Sequence, residues 1–290
     1  MKKIIKILVT GGNGQLGSEL RSLSLIFNQF KWIFTDVNEL DLSNLRNLEN
    51  NILKISPNII INCAAYTNVD KAESEPELAS QINFKAVDKI SKWSSANNCK
   101  LIHVSTDYVF DGSSDNPLNE DAKTNPQNVY GITKLNGEMA CLKNNPNSII
   151  IRTSWVYSSF GKNFVKTMSA LMSEKNSLNI INDQIGSPTY AKDLAGTIIN
   201  IINYKDWIPG LYHYSNEGEV SWYEFAKSIK KYYGFSTNII GISTEEYPTP
   251  AKRPSYSLLD TAKIKKTFKI RIPKYEHSLE KCIKILKNEK

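Results

Sequence analysis

The sequence predicts an α/β chain, a doubly wound parallel sheet carrying a smaller C-terminal lobe. Three observations lead there. In the first half, short β-branched runs alternate with longer stretches whose apolar residues recur at steps of three and four. A glycine-rich turn joins the first of these strands to the first helix. The second half loses that regularity, and no Gly/Ser linker separates it from the first, so two units packed on each other are expected. Strands alternating with helices of this length build right-handed βαβ units with helices on both faces of the sheet.

Residues 4–10 read as a strand of the fully buried kind. Residues 15–27 set Leu16, Leu20, Leu23 and Phe27 on one helical face. Lys31–Thr35 is the second strand. Residues 45–55 repeat Leu45, Leu48, Ile52 and Ile55, and Ser56-Pro57 ends that helix. Ile59–Asn62 is the third strand, and residues 77–96 form a long helix with Pro76 suited to its first turn. Residues 101–105 are a strand, 126–142 a helix and Ile149–Thr153 a strand. Beyond these lie a helix at 164–173, a strand at 178–181, a helix at 191–202 and a short strand, Gly210–Tyr214. Ser221 and Glu224 make a capping box for a helix at 221–233. Residues 252–259 are loop, and 261–268 and a Lys-rich stretch, 277–287, are helical. The division falls at residues 1–160 and 161–290, with the chain free to cross back between the units.

Composition narrows the function classes. The chain has 290 residues, 41% hydrophobic and 22% charged, far from the regime of disorder. Lys+Arg 36 against Asp+Glu 29 leaves +7. The surplus is spread along the chain without a compact basic patch, so no nucleic-acid partner is expected. Cys63, Cys99, Cys141 and Cys282 are too few and scattered for a disulfide framework or a zinc site. Lys6 interrupts the apolar start and a glycine turn follows it, unlike a signal peptide. No run approaches the ~18 apolar residues of a membrane span. A cytoplasmic protein with no membrane partner is expected.

The first strand runs into Thr10-Gly11-Gly12-Asn13-Gly14-Gln15-Leu16-Gly17. Glycines serve where the chain turns sharply, where backbone approaches a pyrophosphate and where helix packs on strand. The following helix points its free N–H groups at the phosphates. A Rossmann-type dinucleotide site, for NADH or NADPH, is therefore expected around Gly11, Gly14, Gln15, Leu16 and Gly17. Asp36 ends the second strand, 19 residues after Gly17, where its carboxylate accepts hydrogen bonds from the adenosine ribose and repels an added phosphate. Asp41 and Leu42 stand where side chains flank adenine. Small residues after the third strand, Cys63-Ala64-Ala65, either let the chain pass beneath the nicotinamide ribose or simply fit a tight sheet end.

The fourth strand delivers Thr106 at the carboxyl edge where open α/β sheets bind ligands. Tyr130 and Lys134 then sit four apart on a helix and face one side. A fixed ammonium near a phenol is expected to lower its pKa from about 10. Tyr130 would then exchange a proton with a carbonyl oxygen oriented by Thr106, while Lys134 holds ribose hydroxyls.

These residues, with the stretches 62–73, 105–112, 128–134, 152–157, 161–168, 182–189 and 247–254, resemble the extended short-chain dehydrogenase/reductases. More narrowly they are similar to the dTDP-4-dehydrorhamnose reductase family, over nearly the whole chain. The resemblance implies Thr106, Tyr130 and Lys134 as the catalytic set. It puts Gly14, Gln15 and Leu16 on the cofactor pyrophosphate, with Asp36, Asp41, Leu42, Ala65, Tyr66 and Thr67 around adenosine and nicotinamide. It puts Asp107 and Trp155 on the deoxysugar of dTDP-4-dehydro-L-rhamnose, and Asn163, Gln184, Thr189 and Arg253 on its nucleotide and diphosphate. Arginine suits a diphosphate because its planar fork makes paired hydrogen bonds. Some relatives hold magnesium at a dimer contact. Here that stretch reads Tyr190-Ala191-Lys192-Asp193, where lysine is a poor ligand, so no metal is expected and a homodimer stays open. Two alternatives stand: another sugar-nucleotide epimerase, dehydratase or reductase of the superfamily, and a non-catalytic dinucleotide-binding subunit like the regulatory subunit of methionine adenosyltransferase.

Overall fold

Residues 4–288 are described by a computed structural model of the chain. Six parallel strands lie in the order Lys31–Thr35, Lys6–Thr10, Ile59–Asn62, Lys100–Thr106, Ile149–Thr153 and Gly210–Tyr214. From its first strand the chain steps outward to the second, then returns to lay the third on the opposite side. That reversal opens a crevice at the carboxyl ends of Lys6–Thr10 and Ile59–Asn62, where ligands of open α/β sheets bind. The register sets Thr10 beside Asn62, Asn62 beside His103 and Thr106 beside Thr153, so a polar edge faces the crevice.

Both faces of the sheet are buried, as a parallel sheet requires. Alternate side chains divide them. Ile7, Val9, Ile61, Ile102 and Ile151 pack with Leu16, Leu20, Leu194 and Ile198, which come from the helices Gln15–Ser24 and Ala191–Asn203. Leu8, Ile60, Leu101 and Ile150 pack on the other face with Ile52, Val87 and Ile90. Each such side chain stabilises the fold by roughly 1.5–3 kcal/mol. The fold is thus α/β and doubly wound. A second core gathers Tyr157, Met168, Tyr190, Phe225, Leu279 and Ile283 outside the sheet. The chain crosses between the two: residues 191–214 return to the sheet, and so do Ile264, Phe268 and Ile272.

Several boundaries differ from the sequence reading, each for a local reason. The first strand begins at Lys6, because Ile4 and Ile5 are exposed. Its helix ends at Ser24, although Leu23 and Phe27 still pack on the core. The second helix is Leu48–Ile55; Ser56 stops it in the left-handed region (φ 51), and Pro57, which cannot continue a helix, follows. The helix carrying Tyr130 is Val129–Asn144, capped by Asn128, whose side chain accepts from the Gly131 N–H at 2.8 Å. Pro126 lies outside it. The long helix is continuous from Pro76 to Ala96 but widens to a π-turn at Gln81–Lys85. Within that turn Asn83 accepts from the Tyr66 N–H (2.8 Å) and donates to the Tyr66 carbonyl and the Thr133 hydroxyl. Sequence reading missed Asn238–Ile242, half-exposed and broken by Gly241, which pairs in parallel with Ser177–Ile181.

One buried ion pair ties the Tyr130 helix to the sheet. Glu138 receives three hydrogen bonds from Arg152, two from Nε and one from Nη2, the shortest at 2.7 Å, with the side chains 2% and 4% exposed. Removing one partner leaves a buried uncompensated charge, a change that costs about 3–5 kcal/mol. Glu138→Ala should therefore lower the urea midpoint by that equivalent; a loss under about 1 kcal/mol would show the pair to be dispensable.

Candidate active site at the carboxyl edge of the sheet

The glycine turn is built so that backbone meets backbone. Gly11 has φ +67, and a Cβ there would stand 2.8 Å from the Ala64 backbone. A Cβ on Gly17 would strike the Gly11 carbonyl oxygen. The helix Gln15–Ser24 therefore starts hard against the strand end. Its cap, Gly14, supplies no side-chain hydrogen bond, and its first turn carries no acid. Unpaired N–H groups and the positive end of the helix dipole face the crevice, the arrangement an anionic phosphate fits.

A cavity of about 600 Å³ runs from this turn along the sheet edge. It brings together Gly11, Gly14, Gln15, Leu16, Asp36, Asp41, Leu42, Ala65 and Thr67 at one end and Tyr130 and Lys134 at the other. Asp36 accepts from the Asn13 N–H at 2.8 Å and from the Val37 N–H at 2.9 Å. Asp41 is locked by the Ser43 N–H and hydroxyl. Gly17 lies behind the turn. Tyr66 turns away, its hydroxyl donating to Glu75 at 2.7 Å.

Tyr130 and Lys134 share the cavity, yet their electrostatics differ from the sequence expectation. Burial pushes the Tyr130 phenol up to about 12; the Thr106 hydroxyl lowers it only in part, and the buried Asp107 raises it. The Lys134 ammonium, which donates to the Val104 carbonyl at 2.7 Å, does not reverse that rise. Burial brings Lys134 down to about 8, opposed by Glu138. Thr106 is 4% exposed; its hydroxyl donates to Asp107 Oδ1 and accepts from the Tyr108 N–H. Asp107 is pushed up to about 6 by burial, and its Oδ2 has no well-formed hydrogen bond. Tyr108 packs edge-on against the Tyr130 ring, centroids 5.5 Å apart.

Tyr108 also interacts with Arg253, which lines a second cavity of about 780 Å³ with Lys252, Asn125 and Gln127. Arg253 makes a paired hydrogen bond to Asp70 at 3.0 and 2.7 Å, which holds the Asp70 carboxyl below its usual range. The other residues implied for substrate are spread apart. Trp155 adopts a left-handed φ of 47 and stacks on Trp222, centroids 3.6 Å apart. Asn163 caps the helix Phe164–Glu174 and donates to Gln15 at 3.0 Å. Gln184 donates to Thr244, and Thr189 meets Thr153. Among the described residues, no three His, Cys, Asp or Glu side chains gather as a metal would require.

Comparison with known proteins is decisive at the family level. The family described as RmlD substrate binding domain matches residues 5–288. The chain belongs to that family. The dTDP-4-dehydrorhamnose reductase of Salmonella typhimurium is 40% identical over 293 residues, spanning 96% of this chain and 97% of the relative. A solved dTDP-4-dehydrorhamnose reductase from Clostridium acetobutylicum superposes with a TM-score of 0.94 at 38% identity, over 98% of this chain and all of the other. Another, from Bacillus anthracis in complex with NADP, gives 0.93 at 37%, with the same coverage.

Within this RmlD-family site, sequence reading overlooked three contributors. Lys162 lines the first cavity beside the glycine turn; it lies in the stretch 161–168 but had no spacing that marked it. Tyr108 stands next to Asp107 but carries no spacing signal. Asn83 lies inside a helix, where only its burial marks it. The close contact at the turn yields a direct test. Gly17→Ala forces a methyl into the Gly11 carbonyl and should destabilise the protein by about 1–3 kcal/mol in urea melts; a wild-type midpoint would contradict the packing described.

Proposed function

We propose that the chain reduces the C4 keto group of dTDP-4-dehydro-L-rhamnose to dTDP-L-rhamnose with NADH or NADPH, the last step of dTDP-L-rhamnose synthesis, in the cytoplasm. One observation carries this reading: a single cavity starts at a phosphate-ready glycine turn and ends at Tyr130 and Lys134. The relatives named above carry the activity in their names. In this reading residues 1–160 hold the dinucleotide and the stretch from 161 supplies the substrate half, with 191–214 returning to the sheet.

The reduced nicotinamide supplies the hydride. Gly14, Gln15 and Leu16 hold the pyrophosphate through the free N–H groups of the helix start. Asp36 accepts from the adenosine ribose, Asp41 and Leu42 flank adenine, and Ala65 and Thr67 shape the wall between adenosine and nicotinamide, with the Tyr66 side chain turned away to Glu75. Asp107 and Trp155 meet the deoxysugar. Arg253 takes the diphosphate, with Asn163, Gln184 and Thr189 holding the loops around the nucleotide. Thr106 orients the keto oxygen. As that oxygen becomes an alkoxide, the Tyr130 O–H bond breaks and the alcohol O–H bond forms. A phenol held near 12 stays protonated at neutral pH, as a donor must, and is still far more acidic than an alcohol. Lys134 keeps an ammonium beside the phenolate left behind.

Tyr130→Phe should lower kcat by a factor of about 10²–10⁴ while fluorescence titration still reports dinucleotide binding. Near-normal turnover would remove Tyr130 as proton donor. An absorbance assay with dTDP-4-dehydrorhamnose should consume one reduced cofactor per product; epimerase chemistry would consume none. A second expectation concerns pH. The Lys134 ammonium is lost as pH rises through about 8, so kcat/KM for reduction should be level near neutrality and fall above that point. A profile level to pH 10 would show that the charge on Lys134 plays no part.

A further inference from the structure

Arg21 lies on the outer side of the glycine turn, where the ribose of adenosine would reach in the reading proposed above. Its guanidinium makes only long contacts, Nη2 donating to the Asn13 Oδ1 at 3.2 Å and to the Gly12 carbonyl at 3.4 Å. It rests over the Phe34 ring, 4.5 Å from the centroid, two residues before Asp36. Gly12 makes room for it: a Cβ there would sit 3.2 Å from Arg21 Nη2. Among the described residues no carboxylate is within ion-pair distance of Arg21, so the cation has unspent hydrogen-bonding capacity. Asn13, which it contacts, lines the first cavity together with Asp36.

Asp36 by itself argues against a phosphorylated ribose, and Glu39 adds a second carboxylate against the Asp36 backbone N–H at 2.9 Å. Both Asp36 oxygens are, however, already turned onto backbone N–H groups of Asn13 and Val37. That leaves the free donors of this corner on Arg21 and on the Asn13 amide. A guanidinium over a ring is preorganised, and its planar fork matches phosphate oxygens. We propose that Arg21, steadied by Phe34 and assisted by Asn13, seats a 2′-phosphate on the adenosine ribose, so that the chain accepts NADPH despite Asp36. This rests on the dinucleotide reading above and extends it to the choice between the two cofactors.

The test compares wild type with Arg21→Gln and Arg21→Lys, using kcat/KM for NADPH and for NADH, and inhibition by 2′,5′-ADP and 5′-ADP. Loss of one charge-assisted contact corresponds to about a tenfold effect. Arg21→Gln should lower the NADPH/NADH ratio of kcat/KM about tenfold and weaken 2′,5′-ADP relative to 5′-ADP by a similar factor. Arg21→Lys should restore part of both. An unchanged ratio in the Gln variant, or equal losses with both cofactors, would overturn the role of Arg21 while leaving the dinucleotide site intact. Wild-type protein that binds neither cofactor nor either ADP would instead overturn the reading beneath it.

Discussion

The structure turns on a place where three stretches of backbone touch with no side chain between them. Gly11, Gly17 and Ala64 meet at the ends of the first and third strands. Only glycine tolerates the distances at 11 and 17, and only the strand order, with its reversal between these two strands, brings the segments together. The helix start is thereby fixed against the sheet, and its amides are aimed into a gap that side chains do not fill. Everything downstream, from the position of Asp36 to the reach of the cavity, follows from that contact.

At the far end the same precision is obtained differently, by polar ties on one helix. Asn128 and Glu73 cap its start, Glu73 accepting from the Val129 N–H. Asn83 holds Thr133, Lys134 reaches the Val104 carbonyl and Glu138 grips Arg152. A Cβ at Gly137 would collide with the Asn83 carbonyl oxygen, so that helix and the π-turn press together. A widened turn of this kind frequently accompanies a functional site. Here it presents the Asn83 backbone and side chain to two neighbours at once. The result is a tyrosine and a lysine lining one cavity whose proton affinities burial has driven apart, the phenol's up and the amine's down.

Much of this was legible in the amino-acid order. The alternation of Ile7 and Val9 with Leu8 reports a sheet buried on both faces, and the glycine spacing reports the turn. Tyr130 and Lys134 announce themselves by being one helical turn apart. Proton affinities were not legible, since they depend first on how deeply each group is enclosed. Nor were the two-residue strands such as Thr189–Tyr190, too short to show any period. The partners of Arg253 were hidden too, because Asp70 lies 183 residues away and meets it only after folding.

The sixth strand of the sheet, Gly210–Tyr214, pairs with Ile149–Thr153 only after more than fifty intervening residues, which pass through the second core as far as Tyr190 and then return to the sheet. A ribosome emitting this chain cannot let the sheet close until residue 214 has left the exit tunnel. Until then the fifth strand is a bare edge, open to pairing with any nascent neighbour. Assembly of the two cores is thereby coupled in time as well as in space, and a gene cut between them would give a first product with an unfinished, adhesive border.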